Sequence, residues 1–284
     1  MTRKSRFKKK IKLILAWIGV ALFFISGLFA IWFSTLKIPS LESFEERKIT
    51  ESTKIYDRTG EILLFDVFSD IKRTIVPFEE ISGNIKKATL AIEDVEFYQH
   101  NGIKPTSIIR AILVNLGALR FDQGGSTITQ QVVKNSILTS EKKISRKIKE
   151  WILAIKIENI LEKDEIFSLY LNEIPYGGNI YGIEEASQAF LGKKSADLTV
   201  VESAYLAALP KAPSFYSPYK NKEGLEKRKN LVLQKMLEND FITQEEYGST
   251  IKEVVEFKPR EDQGIKAPHF VLFVKDLLEK KYGQ

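Results

Sequence analysis

The sequence predicts a mainly α-helical fold of the α+β class, preceded by a short β-hairpin. Two runs of β-forming residues, 53–56 and 61–67, are separated by Asp57-Arg58-Thr59-Gly60, which is typical of a hairpin turn. Residues 71–76 are a candidate third strand. Helical periodicity dominates the rest of the chain. We predict helices over 82–95, 104–118, 127–138, 143–161, 164–172, 182–191, 199–209, 221–239, 243–254 and 268–282.

The N-terminal segment predicts a membrane anchor. Residues 1–12 contain seven basic side chains, and residues 13–36 contain no charged one. As a helix, the second stretch would extend roughly 36 Å and cross a hydrocarbon core of about 30 Å. A cleaved signal peptide would have an apolar core of only about 7–15 residues and a small-residue cleavage site. Leu28-Phe29-Ala30 matches such a site poorly. We therefore expect an uncleaved, single-pass anchor in the cell (inner) membrane, with a cytoplasmic N-terminus and the remaining chain on the outer face.

The charge distribution argues against a nucleic-acid partner. The net charge is +6, but subtracting the seven basic residues of the tail from the total of 43 leaves 36, against 37 acidic residues. The body of the chain is therefore near neutral, and we interpret the basic tail as a topology signal rather than an RNA-binding arm. The absence of cysteine excludes disulfides, thiolate metal sites and a cysteine nucleophile.

A first polar segment follows the apolar run 88–92. Glu93 and Asp94 should emerge where a helix gives way to a loop that closes at Gly102. Clustered carboxylates raise one another's pKa, which suits a general base working near neutrality. A lone histidine such as His100 is more often a structural hydrogen-bonding residue than a catalyst. A metal site is weakly supported, because no His-x-x-x-His or Asp-x-Asp spacing occurs.

A second polar segment starts with two glycines and opens a predicted helix. Ser126 or Thr127 is a good N-cap, and a helix N-terminus presents free N–H groups to an anion. At about 100° per residue, Thr127, Gln131 and Lys134 share one helix face, with Gln130 beside it. The segment can therefore hold a phosphate or diphosphate, or it can be an ordinary capped amphipathic helix with a solvated lysine.

A third segment combines an apolar stripe and a charged stripe on one predicted helix. The apolar stripe consists of Ile144, Ile148, Trp151, Ile152 and Ile155, and the opposite, charged stripe consists of Lys143, Arg146, Lys147 and Glu150. The charged stripe has two interpretations. It can be an exposed face with an Arg146–Glu150 pair worth about 0.2–0.5 kcal/mol, or a carboxylate held among cations beside a site for phosphate oxygens.

As a helix, residues 108–121 would be apolar on nearly every face. Periodicity alone favours a buried core helix, although such a segment can also lie in a membrane interface. Crossing a bilayer takes roughly 20 residues, so this segment is too short to span one.

Taken in order, these segments resemble the motifs of the peptidoglycan glycosyltransferases (glycosyltransferase family 51), in particular the glycosyltransferase portion of class A penicillin-binding proteins. The first motif, E-D-x-x-F-x-x-H-x-G, runs from Glu93 to Gly102. The second, G-G-S-T-x-T-Q-Q-x-x-K-N, spans 124–135, and the third, R-K-x-x-E, spans 146–150. Residues 169–193 resemble the fourth motif, and residues 202–213 resemble the fifth. Together with the strand pair before the first motif, the similarity covers roughly 53–220.

The resemblance implies a lysozyme-like glycosyltransferase domain with a small membrane-facing lobe. It implies polymerisation of lipid II into β-1,4-linked glycan strands, with inversion and release of undecaprenyl diphosphate. Glu93 matches the base that deprotonates the acceptor sugar's 4-hydroxyl, and Glu150 matches a second glutamate near the donor diphosphate. The positions implied in substrate binding are Asp94, Phe97, His100, Ser126, Thr127, Gln130, Gln131, Lys134, Asn135, Lys142, Arg146, Lys147 and Asn172. Lys142 stands where some relatives carry arginine, and lysine cannot make the same bidentate phosphate contact.

The predicted organisation is a cytoplasmic basic tail (1–12), a transmembrane anchor (13–36), a stalk (37–52), a β-hairpin and linker region (53–76), a glycosyltransferase domain (77–220) and C-terminal helices (221–284). Those helices resemble the segment leading into a transpeptidase domain, and that domain is absent from this sequence. The predicted partners are lipid II, the growing glycan strand, membrane lipid and cell-wall synthesis proteins, without nucleic acid. The sequence requires no cofactor and predicts no protein metal ligand, although Mg²⁺ or Mn²⁺ could assist at the donor diphosphate.

Two other functions are compatible with parts of this pattern. A muramidase-like hydrolase would also place a glutamate in a lysozyme-like cleft. It would have no diphosphate for the cations Lys134, Lys142 and Arg146 to bind. A non-catalytic membrane scaffold would need neither the acidic nor the cationic motifs, and an assay on lipid II separates it from an enzyme.

Overall fold

The structure is a computed structural model that describes residues 53–67, 72–104, 125–136, 144–259 and 267–282, together with single residues between Lys12 and Ile31. Those single residues are helical and exposed, Phe23 and Trp17 among them. Across the described part of the chain, no helix has both the length and the apolar composition that crossing a membrane requires. The predicted anchor lies largely outside these residues. Of the predicted helix 104–118, only Lys104 is described, and the predicted site residue Lys142 lies outside the described residues.

Helices dominate the described residues, as the sequence predicts. They are α1 (Gly83–Glu93), α2 (Ile128–Ser136), α3 (Ile144–Glu158), α4 (Lys163–Glu173), α5 (Ile183–Leu191), α6 (Val200–Ala208), α7 (Lys222–Glu238), α8 (Gln244–Thr250) and α9 (Pro268–Tyr282). Short 3-10 turns occupy Phe78–Glu80, Phe97–Gln99 and Ser195–Asp197. Each helix begins and ends within a few residues of its prediction, because caps fix the ends. At α6, for example, Thr199 and Glu202 form a complete capping box.

The strands form two small sheets. β1 (Thr53–Tyr56) pairs antiparallel with β2 (Leu63–Val67), which confirms the predicted hairpin. β3 (Lys72–Arg73) does not extend that hairpin. It pairs in parallel with β5 (Ile180–Tyr181), which also pairs antiparallel with β4 (Pro175–Gly177).

The side chain of Asn172 holds the segment that follows β3. Its side chain accepts from the Val76 N–H at 3.1 Å and donates to the Val76 carbonyl at 3.0 Å. The chain after β3 is therefore held against the end of α4, beside β4 and β5. The candidate strand 71–76 is thus reduced to two residues in a different sheet, because a long-range amide contact outweighs local hairpin propensity.

Among the described residues, one hydrophobic core connects the helices α1 to α8. α1, α6 and α7 pack against one another, and α2 packs against α3 and α4. Ile85, Ile128, Leu153 and Val201 are fully buried in this core, as is Phe97 from the loop after α1. The ends of α1, α2 and α3 that carry the three polar motifs therefore meet on one packed scaffold.

Candidate active site

The first motif lies where α1 ends. Glu93 is the last residue of α1, and Asp94 caps the helix, with its N–H bonded to the Leu90 carbonyl at 3.0 Å. The two neighbouring carboxylates have different surroundings. Glu93 is partly exposed, whereas Asp94 is only 3% exposed. The chain thus presents one accessible carboxylate and buries the other.

Asp94 connects the first motif to the second. Its carboxylate lies 2.9 Å from Nε2 of His100 and 2.6 Å from Nζ of Lys104, and it accepts from the Ile128 N–H at 3.1 Å. Burial raises the pKa of Asp94, but the contacts with His100 and Lys104 outweigh burial and hold that pKa below its usual value. The expectation that clustered carboxylates raise one another's pKa is therefore wrong for Asp94. His100 makes the hydrogen bond expected of a structural histidine, and its predicted part in substrate binding stays a prediction.

The start of α2 is already capped by the chain itself. Thr127 Oγ1 accepts from the Gln130 N–H at 3.2 Å and donates to the Gly102 carbonyl at 2.6 Å. The Ile128 N–H donates to Asp94. Two of the N–H groups expected to face a substrate phosphate are therefore bonded within the protein, and the anion at this helix start is the Asp94 carboxylate.

Side chains further along α2 contact Glu93 and the cation Lys147 beside Glu150. Gln131 Nε2 donates to Glu93 Oε2 at 2.6 Å, which fixes the orientation of that carboxylate. Gln130, the neighbouring residue, is buried and accepts from Lys147 at 3.4 Å. Lys134 is exposed one turn beyond Gln130.

Glu150 is a buried carboxylate held among cations. It is 2% exposed, with Lys147 Nζ 2.8 Å from one oxygen and Arg146 Nε 3.3 Å from the other. Lys147 also donates to Ser126 at 2.8 Å. Glu150 is thus a carboxylate held among cations, and the exposed-face interpretation is wrong for it. The neighbouring site for phosphate oxygens stays a prediction.

The buried face of α3 differs from the predicted apolar stripe. Glu150, Leu153, Ala154 and Ile157 face the core, whereas Ile155 is 40% exposed. The reason is that α3 packs on α2 through the side that bears Glu150. The apolar stripe predicts that every charged residue of α3 is exposed to solvent, so it predicts the wrong buried face.

The remaining predicted residues support the site or lie beside it. Phe97 is fully buried, with its ring 5.6 Å from that of Phe167. Asn172 is buried and bonded to Val76, so it shapes the scaffold. Asn135 is exposed next to Lys134.

The sequence interpretation missed two tyrosines near Glu93. Tyr170 and Tyr176 are both buried, and burial raises the pKa of each phenol, with the Glu93 charge raising it further. Tyr170 belongs to the fourth motif, and Tyr176 lies in β4. Both tyrosines lie within residues 169–193, and this position in the fourth motif was the signal in the sequence that could have identified them.

The described side chains of the candidate site offer few ligands for a protein-bound metal ion. The described residues contain no group of three or more His, Asp or Glu side chains that could hold one. Asp94 and Glu150 are each engaged by cationic partners. A divalent cation here would therefore need its ligands chiefly from substrate phosphates.

The fold and these motifs define a known class of protein. The transglycosylase family model matches residues 61–237, and the chain belongs to that family.

Particular relatives share most of the chain. It is 39% identical over 274 residues to penicillin-binding protein 1A of Aquifex aeolicus, covering 96% of this chain and 37% of the relative. It is 36% identical over 249 residues to penicillin-binding protein 1A of Escherichia coli, covering 87% and 29%. It is 36% identical over 285 residues to penicillin-binding protein 2D of Bacillus subtilis, covering 100% and 41%. The chain therefore spans well under half the length of these relatives.

A solved structure also matches, although more distantly. The crystal structure of penicillin-binding protein 1A from Haemophilus influenzae superposes with a TM-score of 0.46 at 23% sequence identity, covering 84% of this chain and 25% of that one.

Proposed function

We propose that this chain is a peptidoglycan glycosyltransferase that polymerises lipid II into β-1,4-linked glycan strands, with inversion and release of undecaprenyl diphosphate, in bacterial cell-wall synthesis. Membership of the transglycosylase family supports the reaction class. The observation that carries the proposal is the contrast between two glutamates, one bonded to a glutamine of α2 and the other paired with two cations of its own helix, α3. Glu93 is accessible and oriented by Gln131, and Glu150 is buried among cations.

In this mechanism Glu93 is the general base. It takes the proton of the acceptor sugar's 4-hydroxyl as that oxygen attacks the anomeric carbon of the donor. The partial exposure of Glu93 supports this role, since a base must reach its substrate. The Gln131 amide fixes one carboxylate oxygen and leaves the other for the hydroxyl proton.

The cationic side of the site would stabilise the leaving diphosphate. Arg146 and Lys147 lie on α3 beside Glu150, and Lys134 is exposed on α2. Glu150 would hold the two α3 cations in place, while positive charge aimed at the developing diphosphate lowers the barrier to its departure. Lys142 remains a predicted member of this group. Mg²⁺ or Mn²⁺ at the diphosphate also remains a prediction, and no step depends on it.

The chain would act at the outer face of the cell membrane, held there by its N-terminal segment. The uncharged run 13–36 supports this placement, as do the exposed apolar side chains of Phe23 and Trp17. A lipid-linked substrate requires a catalytic site at headgroup level.

The test is incubation of the detergent-solubilised chain with labelled lipid II, followed by separation of the products. Formation of glycan polymer that a muramidase digests is the expected result. Cleavage of preformed glycan without polymer formation would favour the hydrolase. Absence of both activities would favour a scaffold and refute the proposal.

A further inference from the structure

Glu158, at the end of α3, is a buried carboxylate outside the mechanism above. Its side chain is 4% exposed, and its Oε2 lies 2.7 Å from Nζ of Lys163, the first residue of α4. Its other oxygen accepts a hydrogen bond from the hydroxyl of Thr129 on α2. One carboxylate therefore links α2, α3 and α4.

Lys163 extends this link to the loop that follows Glu93. Its ammonium group donates to the His100 carbonyl at 2.5 Å and lies 4.4 Å from the centre of the Phe97 ring. Both residues belong to the first motif. The loop that carries Asp94 is thus held by the cation that neutralises Glu158.

The same loop lies directly on α3. Gly102 has φ of +79°, and a Cβ there would be 2.8 Å from the Ala154 carbonyl oxygen and 3.1 Å from Cγ of Glu158. Only glycine fits so close an approach in this backbone conformation. The contact is one turn before Glu158, so the loop is seated on α3 beside the link made by Lys163.

We propose that Thr129, Glu158 and Lys163 form a positioning brace that sets where Glu93 stands relative to the cations of α3. The proposal deepens the glycosyltransferase function proposed above and rests on it. Glu93 ends α1, and the chain continues from it into the braced loop. On α3, Glu150 lies about two turns before Glu158, and its cations Arg146 and Lys147 lie about three turns before it.

A purely structural role explains the brace less well. A buried ion pair usually adds little stability beyond that of apolar side chains of the same size. A displacement of about 1 Å in a reacting group can lower a rate about 100-fold. The brace contacts neither Glu93 nor the cations beside Glu150. It therefore sets the distance between Glu93 and those cations only through the loop that it holds.

The first experiment measures the loop itself, independently of activity. Lys163→Met removes the cation, Lys163→Arg retains it, and Lys227→Met is the control. Lys227 pairs with Glu223 on the exposed surface of α7, 2.6 Å away. Hydrogen exchange would be followed at the amides of Phe97 and Gln99, which donate to the carbonyls of Asp94 and Glu96. We expect about tenfold faster exchange in Lys163→Met and near wild-type exchange in the other two.

The second experiment separates positioning from binding in the full chain. Lys163→Met should lower kcat for lipid II polymerisation about 10- to 100-fold. The KM and the affinity for a phosphoglycolipid inhibitor such as moenomycin should change less than about threefold, because the cations that would bind the diphosphate are not on the loop. Lys163→Arg should restore kcat.

The exchange and kinetic results for Lys163→Met test the brace, and polymerisation by the wild-type chain tests the proposed function. Unchanged loop exchange in Lys163→Met would overturn the brace, and so would equal losses of kcat and inhibitor affinity. If the wild-type chain makes no polymer, the proposed function fails, while the exchange measurement still decides whether the brace holds the loop.

Discussion

Asp94→Asn should destabilise the protein in a pH-dependent way. An asparagine can still accept the Ile128 N–H, so the cap on α2 survives. The substitution removes the charge that Lys104 and His100 face, and the Lys104 side chain is only 16% exposed. Hydrogen bonds to charged groups contribute about 1.5–3 kcal/mol each, against about 1 kcal/mol for neutral ones. Lys104 keeps a second partner, Glu96 at 3.1 Å, which moderates the loss. We expect the free energy of unfolding at pH 7 to fall by about 2–3 kcal/mol.

The pH dependence follows from the lowered pKa of Asp94 in the folded state. A carboxyl with a depressed folded pKa stabilises the fold above its unfolded pKa of about 3.9 and loses this contribution as pH falls through the folded pKa. The difference between wild type and Asp94→Asn should therefore be largest at pH 7 and shrink below about pH 4.

Urea unfolding at pH 7 and at about pH 3.5, followed by circular dichroism, measures this difference. Glu223→Gln is a suitable control, because the pKa of Glu223 is also lowered, by its hydrogen bond to Lys227, but the group is fully exposed. That control should change stability little at either pH. The same penalty for Asp94→Asn at both pH values, or none at pH 7, would refute the role assigned to Asp94.

Three further predictions concern the cations and the membrane. Lys134→Ala should weaken binding of a phosphoglycolipid inhibitor such as moenomycin much more than binding of a neutral glycan fragment in calorimetry, and equal losses would favour a structural role. Lys147→Met should lower the urea-unfolding free energy by about 1–2 kcal/mol, because buried Glu150 would keep only Arg146, and an unchanged value would contradict that pairing. A shortened chain beginning at Lys37 should still bind liposomes, more weakly, through 108–121, and replacing Ile109 and Leu113 with Ser should reduce this binding. Complete loss of liposome binding in the shortened chain itself would indicate that 108–121 is ordinary core.

The sequence could predict the helices because their signals are local. The capping box of Thr199 and Glu202 fixes the start of α6, and the φ of +73° at Gly192 ends α5. The strand β3 could not be predicted in the same way. Its partner β5 lies more than a hundred residues away, and the Asn172 contact that holds the following segment is almost as remote in sequence.

The site was predictable as a set of residues but not as an arrangement. The motif spacing predicts Glu93, Glu150 and Lys147 as members of the candidate site. It could not reveal that Asp94 caps α2, since that contact depends on how the loop after α1 folds back. Glu150 points into the core because helix packing decides which face of α3 is buried, and a charged residue on an amphipathic helix gives the opposite signal.

The proposed function depends most on Glu93 acting as the base of a lipid II polymerase. The most direct measurement compares wild type with Glu93→Gln in single-turnover polymerisation of labelled lipid II, with moenomycin affinity measured on the same preparations. A positioned base contributes about 10²–10⁴-fold, so Glu93→Gln should fall well below about a tenth of the wild-type rate. Its inhibitor affinity should stay close to wild type, because an amide replaces a carboxylate of the same shape. Polymerisation by Glu93→Gln above about a tenth of the wild-type rate would contradict the account.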